Sequence, residues 1–165
     1  MEEICGRVFK FGDNIDTDQI YPGRYLALTD HQEIAEHAME GADPNFVQEV
    51  EDGDIIVGGS NFGCGSSREH AVICIKNTGV AAVIAKSFAR IFYRNAINMG
   101  LPVIEVSELE VEEGNKVTVD LGAGKITKED GTEYKFKSLP DNILEIIEAG
   151  GVINYNKEQN GQKDN

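Results

Sequence analysis

Three short apolar runs alternate with two helix-length segments in the middle of the chain. The apolar runs span residues 54–57, 80–85 and 101–106, and the segments between them span residues 71–77 and 87–98. Apolar runs of this length, bounded by glycines and other turn residues, are typical of buried strands. This strand–helix–strand–helix–strand order predicts an α/β fold built on a parallel sheet with right-handed crossover connections.

The flanking segments add a first strand and an antiparallel tail. Residues 4–11 alternate imperfectly and predict a strand, and Thr29 or Asp30 is a candidate cap for a short helix of about residues 31–39. Alternation and a glycine turn then favour antiparallel strands, followed by a last helix and a polar, frayed tail. These later segments are residues 116–121, 125–127, 134–136, 142–149 and 157–165. The whole chain, residues 1–165, is expected to form a single domain.

The charge balance limits the possible partners. Twenty-nine acidic residues stand against fifteen basic ones, which gives a formal net charge of −14. A chain this acidic lacks the basic face that nucleic acid requires. It also repels small anions at long range, so an anionic substrate requires arginines that are concentrated locally.

The cysteines argue against several kinds of site. Cys5, Cys64 and Cys74 are odd in number, and no two of them have C-x-x-C spacing. This pattern argues against a disulfide framework, a zinc site or an iron–sulfur cluster held by this chain alone. The first residues lack a signal-peptide pattern, and no apolar run is long enough to cross a bilayer. A reducing cytoplasm is the expected compartment.

The glycine-rich stretch of residues 58–70 is the strongest candidate for a functional site. A predicted strand runs into glycines and then into a helix start that carries Ser66, Ser67 and Arg68. Backbone N–H groups at a helix start attract anions, and an arginine fork suits a carboxylate. Ser66 and Glu69 also have the spacing of a capping box, in which the serine is purely structural. Residue spacing alone leaves both interpretations open, and the glycines match neither a Walker loop nor a dinucleotide fingerprint.

Other polar residues favour structural interpretations when they are taken singly. Asn14, Asp16 and Asp18 form an acidic cluster that could bind a cation, although Asx turns are the simpler interpretation. Arg24 is predicted to be a solvated loop residue. His70 is predicted to be hydrogen-bonded structure, His31 and His37 are predicted to be surface residues, and Cys64 is predicted to be unreactive. Arg90 and Arg94 lie four apart on one helix face and could join the anion site, although pairing with carboxylates is the favoured interpretation.

Three blocks carry a resemblance to a known family. Residues 14–20 (NIDTDQI), 59–71 (GSNFGCGSSREHA) and 85–92 (AKSFARIF) together resemble the small subunits of 3-isopropylmalate dehydratases, in the aconitase superfamily. The resemblance extends from about Ile4 to Tyr155. It implies a three-layer β/β/α swivelling domain, with a mostly parallel core sheet and additional antiparallel strands.

The resemblance also implies a partner and a set of site residues. This chain binds no cofactor, and a separate large subunit holds a [4Fe–4S] cluster and completes a heterodimer or a larger assembly. Ser66 matches the serine that acts as catalytic base, and Ser67 and Arg68 match its substrate-binding neighbours. Asp18 matches an active-site aspartate, and Arg24 lies near the position of a second substrate-binding arginine.

The implied reaction is the interconversion of 2-isopropylmalate and 3-isopropylmalate through 2-isopropylmaleate, a hydro-lyase step of leucine biosynthesis. In archaeal homoaconitases of this family an arginine lies in the loop that corresponds to Tyr25, Leu26, Ala27 and Leu28. This apolar stretch offers no charge to a third carboxylate, which favours an alkyl substituent. Citramalate or 2,3-dimethylmalate is an alternative substrate, and homoaconitate is less favoured. A stand-alone dicarboxylate-binding module and a purely structural interaction domain are the alternatives from other classes.

Overall fold

A computed structural model describes residues 3–164. One mixed sheet of seven strands runs through the molecule in the order β4-β3-β2-β1-β5-β6-β7. The strands are β1 (Ile4–Lys10), β2 (Ile55–Val57), β3 (Ala82–Ala85), β4 (Val103–Glu105), β5 (Lys116–Asp120), β6 (Lys125–Lys128) and β7 (Glu133–Lys135). Strands β1 to β4 are parallel, and β5 to β7 extend the sheet in antiparallel pairs. The predicted parallel core with antiparallel additions is therefore confirmed.

Seven α-helices accompany the strands within the described residues. They are α1 (Thr17–Ile20), α2 (His31–Ala35), α3 (Phe46–Glu49), α4 (Glu69–Asn77), α5 (Arg90–Asn98), α6 (Asp141–Ala149) and α7 (Val152–Asp164). The two crossover helices, α4 and α5, connect β2 to β3 and β3 to β4, as the order of the apolar runs predicts. In the described part of the chain, no helix has both the length and the hydropathy needed to span a membrane.

Two hydrophobic clusters divide the molecule into layers. On β2, Ile55 and Val57 belong to one cluster and Ile56 to the other, because successive side chains of a strand point to opposite faces. The cluster that contains Ile55 also contains Val117 and Ile126, which lie on the antiparallel strands. The cluster that contains Ile56 is shared with the helices. The layers are therefore antiparallel strands, parallel strands and helices, the β/β/α arrangement that the resemblance implies.

Several local predictions need correction. The last helix, α7, runs to Asp164, whereas the sequence predicts a frayed tail over residues 157–165, of which residue 165 lies outside the described part of the chain. The four-residue helices α1 and α3 are not predicted by the sequence pattern. Between the two candidate caps of α2, the structure selects Asp30, whose side chain accepts a hydrogen bond from the Glu33 backbone.

Candidate active site

A cleft lies where the parallel strands β2 and β3 end. The loop after β2 runs beside the loop after β3, since Phe62 N donates to Ser87 O at 3.0 Å and Ala89 N donates to Phe62 O at 2.9 Å. The carboxyl ends of parallel strands are the usual place for ligand sites in α/β sheets. The cleft has a volume of about 470 Å³. Its lining includes Asn61, Ser66, Ser67, Arg68, Phe88, Arg90, Ile91 and Asn95.

The segment of residues 14–17 fixes the glycine-rich loop from the other side. Thr17 N donates to Cys64 O at 2.8 Å, and Gly63 N donates to Ile15 O at 2.7 Å. The Thr17 hydroxyl donates to Ser66 O at 2.9 Å. Thr17 is 4% exposed, so this hydroxyl is a fixed donor rather than a solvated one. The backbone of Ser66 is therefore held in place while its side chain stays free to point into the cleft.

Gly63 explains why the loop is rich in glycine without being a phosphate loop. Its φ is 84°, a conformation that favours glycine, and a Cβ there would lie 2.3 Å from the ring of Phe92. The loop therefore approaches the start of α5 more closely than any side chain would allow. The glycine serves close packing of loop on helix, which is a structural requirement of the cleft.

The two serines do not cap a helix. Helix α4 begins at Glu69 with Arg68 as its N-cap residue, and that cap makes no side-chain hydrogen bond. Ser66 and Ser67 are exposed, and their hydroxyls make no hydrogen bond within the described residues. The capping-box interpretation of Ser66 and Glu69 is therefore wrong. So is the expectation that the serines form the helix start itself, because they precede it in the cleft wall.

An ion pair orients Arg68. Its Nη1 lies 3.0 Å from Asp18 Oδ1 and donates to Tyr21 O at 3.1 Å. The Arg68 side chain is only 18% exposed, whereas that of Asp18 is 70% exposed. The hydrogen bond from Arg68, together with one from Gly23 N, holds the pKa of Asp18 below its ordinary value. Asp18 therefore stays charged and fixes the direction of a guanidinium that lines the cleft.

Arg24 belongs to a separate cluster. Its Nη2 lies 2.9 Å from Glu40 Oε1, and Tyr25 OH donates to the same oxygen at 3.2 Å. His37 Nδ1 lies 2.8 Å from Glu40 Oε2, and the His37 ring stacks on Tyr25 with 3.6 Å between centroids. Burial raises the pKa of Glu40, but the hydrogen bonds from His37 and Tyr25 outweigh it and the net shift is downward. The predictions of a merely solvated Arg24 and a surface His37 are wrong.

The segment with the apolar sequence lies beside this cluster. Leu26 is 41% exposed, Ala27 is exposed and Leu28 is half-buried. The His70 ring contacts Leu28 O at 2.9 Å between Nε2 and the oxygen, so the prediction that His70 is hydrogen-bonded structure is confirmed. The segment is thus tied to helix α4 through one backbone carbonyl, and Leu26 faces away from the core.

Asp16 and the three cysteines are the remaining residues that the sequence singles out. Asp16 caps α1 through a capping box with Gln19, so its turn-forming interpretation is confirmed. All three cysteines are unpaired thiols: Cys5 is exposed, Cys64 is half-buried and Cys74 is buried. Burial raises the pKa of the Cys74 thiol. Within residues 3–159, no group of three or more histidine, cysteine, aspartate or glutamate side chains is arranged to hold a metal ion.

Arg90 and Arg94 do not pair with carboxylates as the acidic composition suggests. Both are exposed, and neither forms an ion pair with any residue that the structure describes. Arg90 lines the same cleft as Arg68. The sequence left a place at the anion site open for Arg90 but favoured carboxylate pairing. It missed Thr17, Gly23 and Glu40, which position the site. The D-x-x-Q spacing of residues 16–19 was the one signal that could have revealed the short helix bearing Thr17.

Comparison with known proteins gives consistent matches. The family model of the aconitase C-terminal domain matches residues 14–109. The chain is 59% identical to the 3-isopropylmalate dehydratase small subunit of Nautilia profundicola over 160 residues, covering 96% of each chain. It is 54% identical to the methanogen homoaconitase small subunit of Methanothermobacter thermautotrophicus over 153 residues, covering 92% of this chain and 89% of the relative. The crystal structure of a 3-isopropylmalate dehydratase from Methanocaldococcus jannaschii superposes with a TM-score of 0.94 at 49% identity, covering 99% of this chain and 98% of the other.

Proposed function

Because the chain belongs to the family of aconitase C-terminal domains that includes 3-isopropylmalate dehydratase small subunits, we propose that it is such a small subunit. With a large subunit, in a heterodimer or a larger assembly, it interconverts 2-isopropylmalate and 3-isopropylmalate by dehydration and rehydration. The step belongs to leucine biosynthesis. Free thiols fit a reducing cytoplasm as the place of work.

One observation carries the proposal. Ser66, Ser67 and Arg68 line one cleft. The two serine hydroxyls make no hydrogen bond within the described residues, and Asp18 orients the arginine. A capping or purely structural role leaves a serine hydroxyl engaged with the backbone. Here the backbone of Ser66 is fixed by Thr17 and the hydroxyl is not used. The Ser66 hydroxyl is therefore available to contact a substrate.

The chain's own residues account for binding and for proton transfer. The guanidinium of Arg68 binds a carboxylate of the substrate, since its planar fork suits two parallel hydrogen bonds. Ser66 Oγ, as the alkoxide, takes the proton from the carbon beside that carboxylate, and hydroxide leaves from the neighbouring carbon, so that the alkene forms. The proton now on Ser66 and the released hydroxide together make up one water, which restores the alkoxide. Rehydration reverses these steps with the hydroxyl added to the other carbon. Fixed positive groups near the carboxylate stabilise the charge that builds up on it.

We propose that the ligands of the iron–sulfur cluster come from the large subunit. The three cysteines of this chain lie on β1, in the cleft loop and in buried helix α4, and they do not converge. We therefore assign the cluster to the large subunit, where it would supply Lewis-acid chemistry to the departing hydroxyl.

The apolar segment supports isopropylmalate as the substrate. Leu26 and Ala27 are exposed beside the Arg24 cluster and provide no charge for a third carboxylate. When the large subunit closes over this segment, a charged group buried against it without a partner is unfavourable, whereas a branched alkyl group is accommodated. Citramalate and 2,3-dimethylmalate share the apolar end and are the nearest alternatives.

Reconstitution tests the proposal. The chain is mixed with the cluster-loaded large subunit of the Nautilia profundicola enzyme, and isopropylmaleate is followed by its ultraviolet absorbance. We expect activity only in the mixture, with isopropylmalate turned over faster than citramalate, dimethylmalate or homocitrate. The Nautilia small subunit, 59% identical to this chain, serves as the positive control for the large subunit.

Ser66→Ala separates the catalytic role from a structural one. We expect turnover to fall by at least about a thousandfold with assembly retained, since the base is lost.

Ser67→Ala, which removes a neighbouring hydroxyl, is expected to raise KM more than it lowers kcat. Arg68→Lys is expected to weaken substrate binding because an ammonium lacks the two-pronged fork. Tight binding of isopropylmalate to the isolated chain in calorimetry, without activity in the mixture, would instead favour a stand-alone dicarboxylate-binding module.

A further inference from the structure

A second and larger cleft adjoins the candidate active site. It has a volume of about 1000 Å³ and lies between the start of α5, the end of β4 and the segment of residues 136–140. Phe88, Arg90 and Ile91 line both clefts, so the start of α5 forms the ridge between them. A protein that covers the active-site cleft and contacts this ridge therefore lies next to the second surface.

The charge of the second cleft differs from that of the molecule. Arg90, Arg94 and Lys137 line it, and the one carboxylate in the lining is Glu105. None of the three cations forms an ion pair with a described residue, although the chain carries 29 acidic residues. All three side chains are exposed. In a chain with a net charge of −14, this is a local basic surface that is left without a partner inside the subunit.

Apolar side chains accompany these cations. Ile91 is 43% exposed, one of three large hydrophobic residues exposed among those that the structure describes. Phe88, Tyr93 and Phe136 are half-buried in the same lining. Aromatic and apolar side chains mixed with arginine are the composition of protein–protein interfaces, in which arginine is enriched and lysine or glutamate is usually depleted.

We propose that this second cleft is the docking surface for the large subunit and that it receives an acidic segment of that subunit. Charge complementarity selects the occupant, since three unpaired cations face one carboxylate. The partner is the large subunit, because the second cleft shares the start of α5 with the active-site cleft that this subunit must close. The inference rests on the proposed function, which requires a large subunit, and it adds where that subunit binds.

Charge reversal at the far side of the cleft tests the proposal. Arg94→Glu/Lys137→Glu is titrated against the large subunit, with activity as the readout of assembly; Arg90 is left intact because it also lines the active-site cleft. We expect the apparent Kd to rise by about tenfold to a hundredfold, with kcat at saturation unchanged. The affinity of the wild-type complex is expected to fall with salt, and that of the variant to fall less steeply.

A matched control carries the same charge change elsewhere. Lys116→Glu/Lys157→Glu alters two exposed lysines outside the cleft and is expected to assemble like the wild type. Thermal melts of all variants show that they are folded, and Arg94→Gln/Lys137→Gln provides a milder change that is expected to weaken assembly less. Assembly unchanged in Arg94→Glu/Lys137→Glu, or a raised KM for isopropylmalate with unchanged Kd, overturns the inference. A wild-type chain that fails to activate a competent large subunit counts instead against the proposed function.

Discussion

At the scale of single residues, an exposed carboxylate sets the direction of a mostly buried guanidinium. Asp18 contacts Arg68 Nη1 and Gly23 N, so it connects the cleft to the turn that follows α1. A Cβ on Gly23 would lie 3.3 Å from Arg68 Nη2, which shows how closely the turn fits the guanidinium. Exposed ion pairs contribute little to stability, so the value of this pair lies in orientation.

Asp18→Asn tests that role. The amide oxygen still accepts a hydrogen bond, but the charge that fixes Arg68 is gone. We expect kcat/KM of the assembled enzyme to fall by about tenfold, while the urea midpoint of unfolding stays that of the wild type, because an exposed ion pair contributes little to stability. Steady-state kinetics and urea unfolding measure the two quantities. Unchanged kinetics would remove Asp18 from the site.

The pH dependence of the pair follows from the lowered pKa of Asp18. The hydrogen bond from Arg68 is its largest cause, followed by the one from Gly23 N. A carboxyl whose folded pKa is depressed contributes stability above its ordinary value of 3.8 and loses it as pH falls through the lower folded value. We therefore expect the carboxyl carbon of Asp18 to titrate below pH 3.8 in NMR spectra. In Arg68→Gln its midpoint is expected to move upward, and an identical midpoint in both proteins contradicts the ion pair.

At the scale of helices and loops, the sequence predicts the central elements because apolar runs and glycines coincide there. It fails where long-range backbone contacts decide the structure. The capping spacing occurs at both Asp16 and Ser66. Only the fold shows that Asp16 caps α1, whereas α4 begins three residues after Ser66. Likewise, acidic composition predicts a partner for Arg94, but no described carboxylate lies within ion-pair distance of it.

A pair of alanine substitutions distinguishes these two helix starts. Asp16→Ala removes a side chain that accepts from Gln19 N at 2.8 Å, so we expect a loss of about 1 kcal/mol in the free energy of unfolding. Ser66→Ala removes no such bond and is expected to change stability by less than about 0.5 kcal/mol. Chemical denaturation of the isolated chain measures both. A larger loss at Ser66 than at Asp16 would restore the capping interpretation and weaken the case for a catalytic serine.

At the scale of the whole molecule, strand β1 joins the two halves of the sheet. Residues 8–10 of β1 pair with parallel β2, and residues 4–7 pair with antiparallel β5. Each half buries its apolar face against the other, because the cluster of Val8 and Ile55 also contains Val117 and Ile126. The prediction of a single domain, made from chain length, therefore translates into a prediction of one cooperative unfolding transition.

Gly6→Ala tests that cooperativity at the junction. A Cβ at Gly6 would lie 1.9 Å from Gly53 O, a backbone atom that cannot move away without shifting the start of β2. Overpacking of this kind is expected to cost about 3 kcal/mol. Gly12→Ala is the matched control, since a Cβ there meets nothing within 4 Å and its stability is expected to stay equal or rise by up to about 1 kcal/mol. Hydrogen exchange, measured by mass spectrometry, is expected to become faster in Gly6→Ala, and by the same factor in peptides of β5–β7 and of β2–β3, because the two halves share one core. Faster exchange in the antiparallel strands alone would mean that they unfold as a separate unit and that the single-domain prediction is wrong.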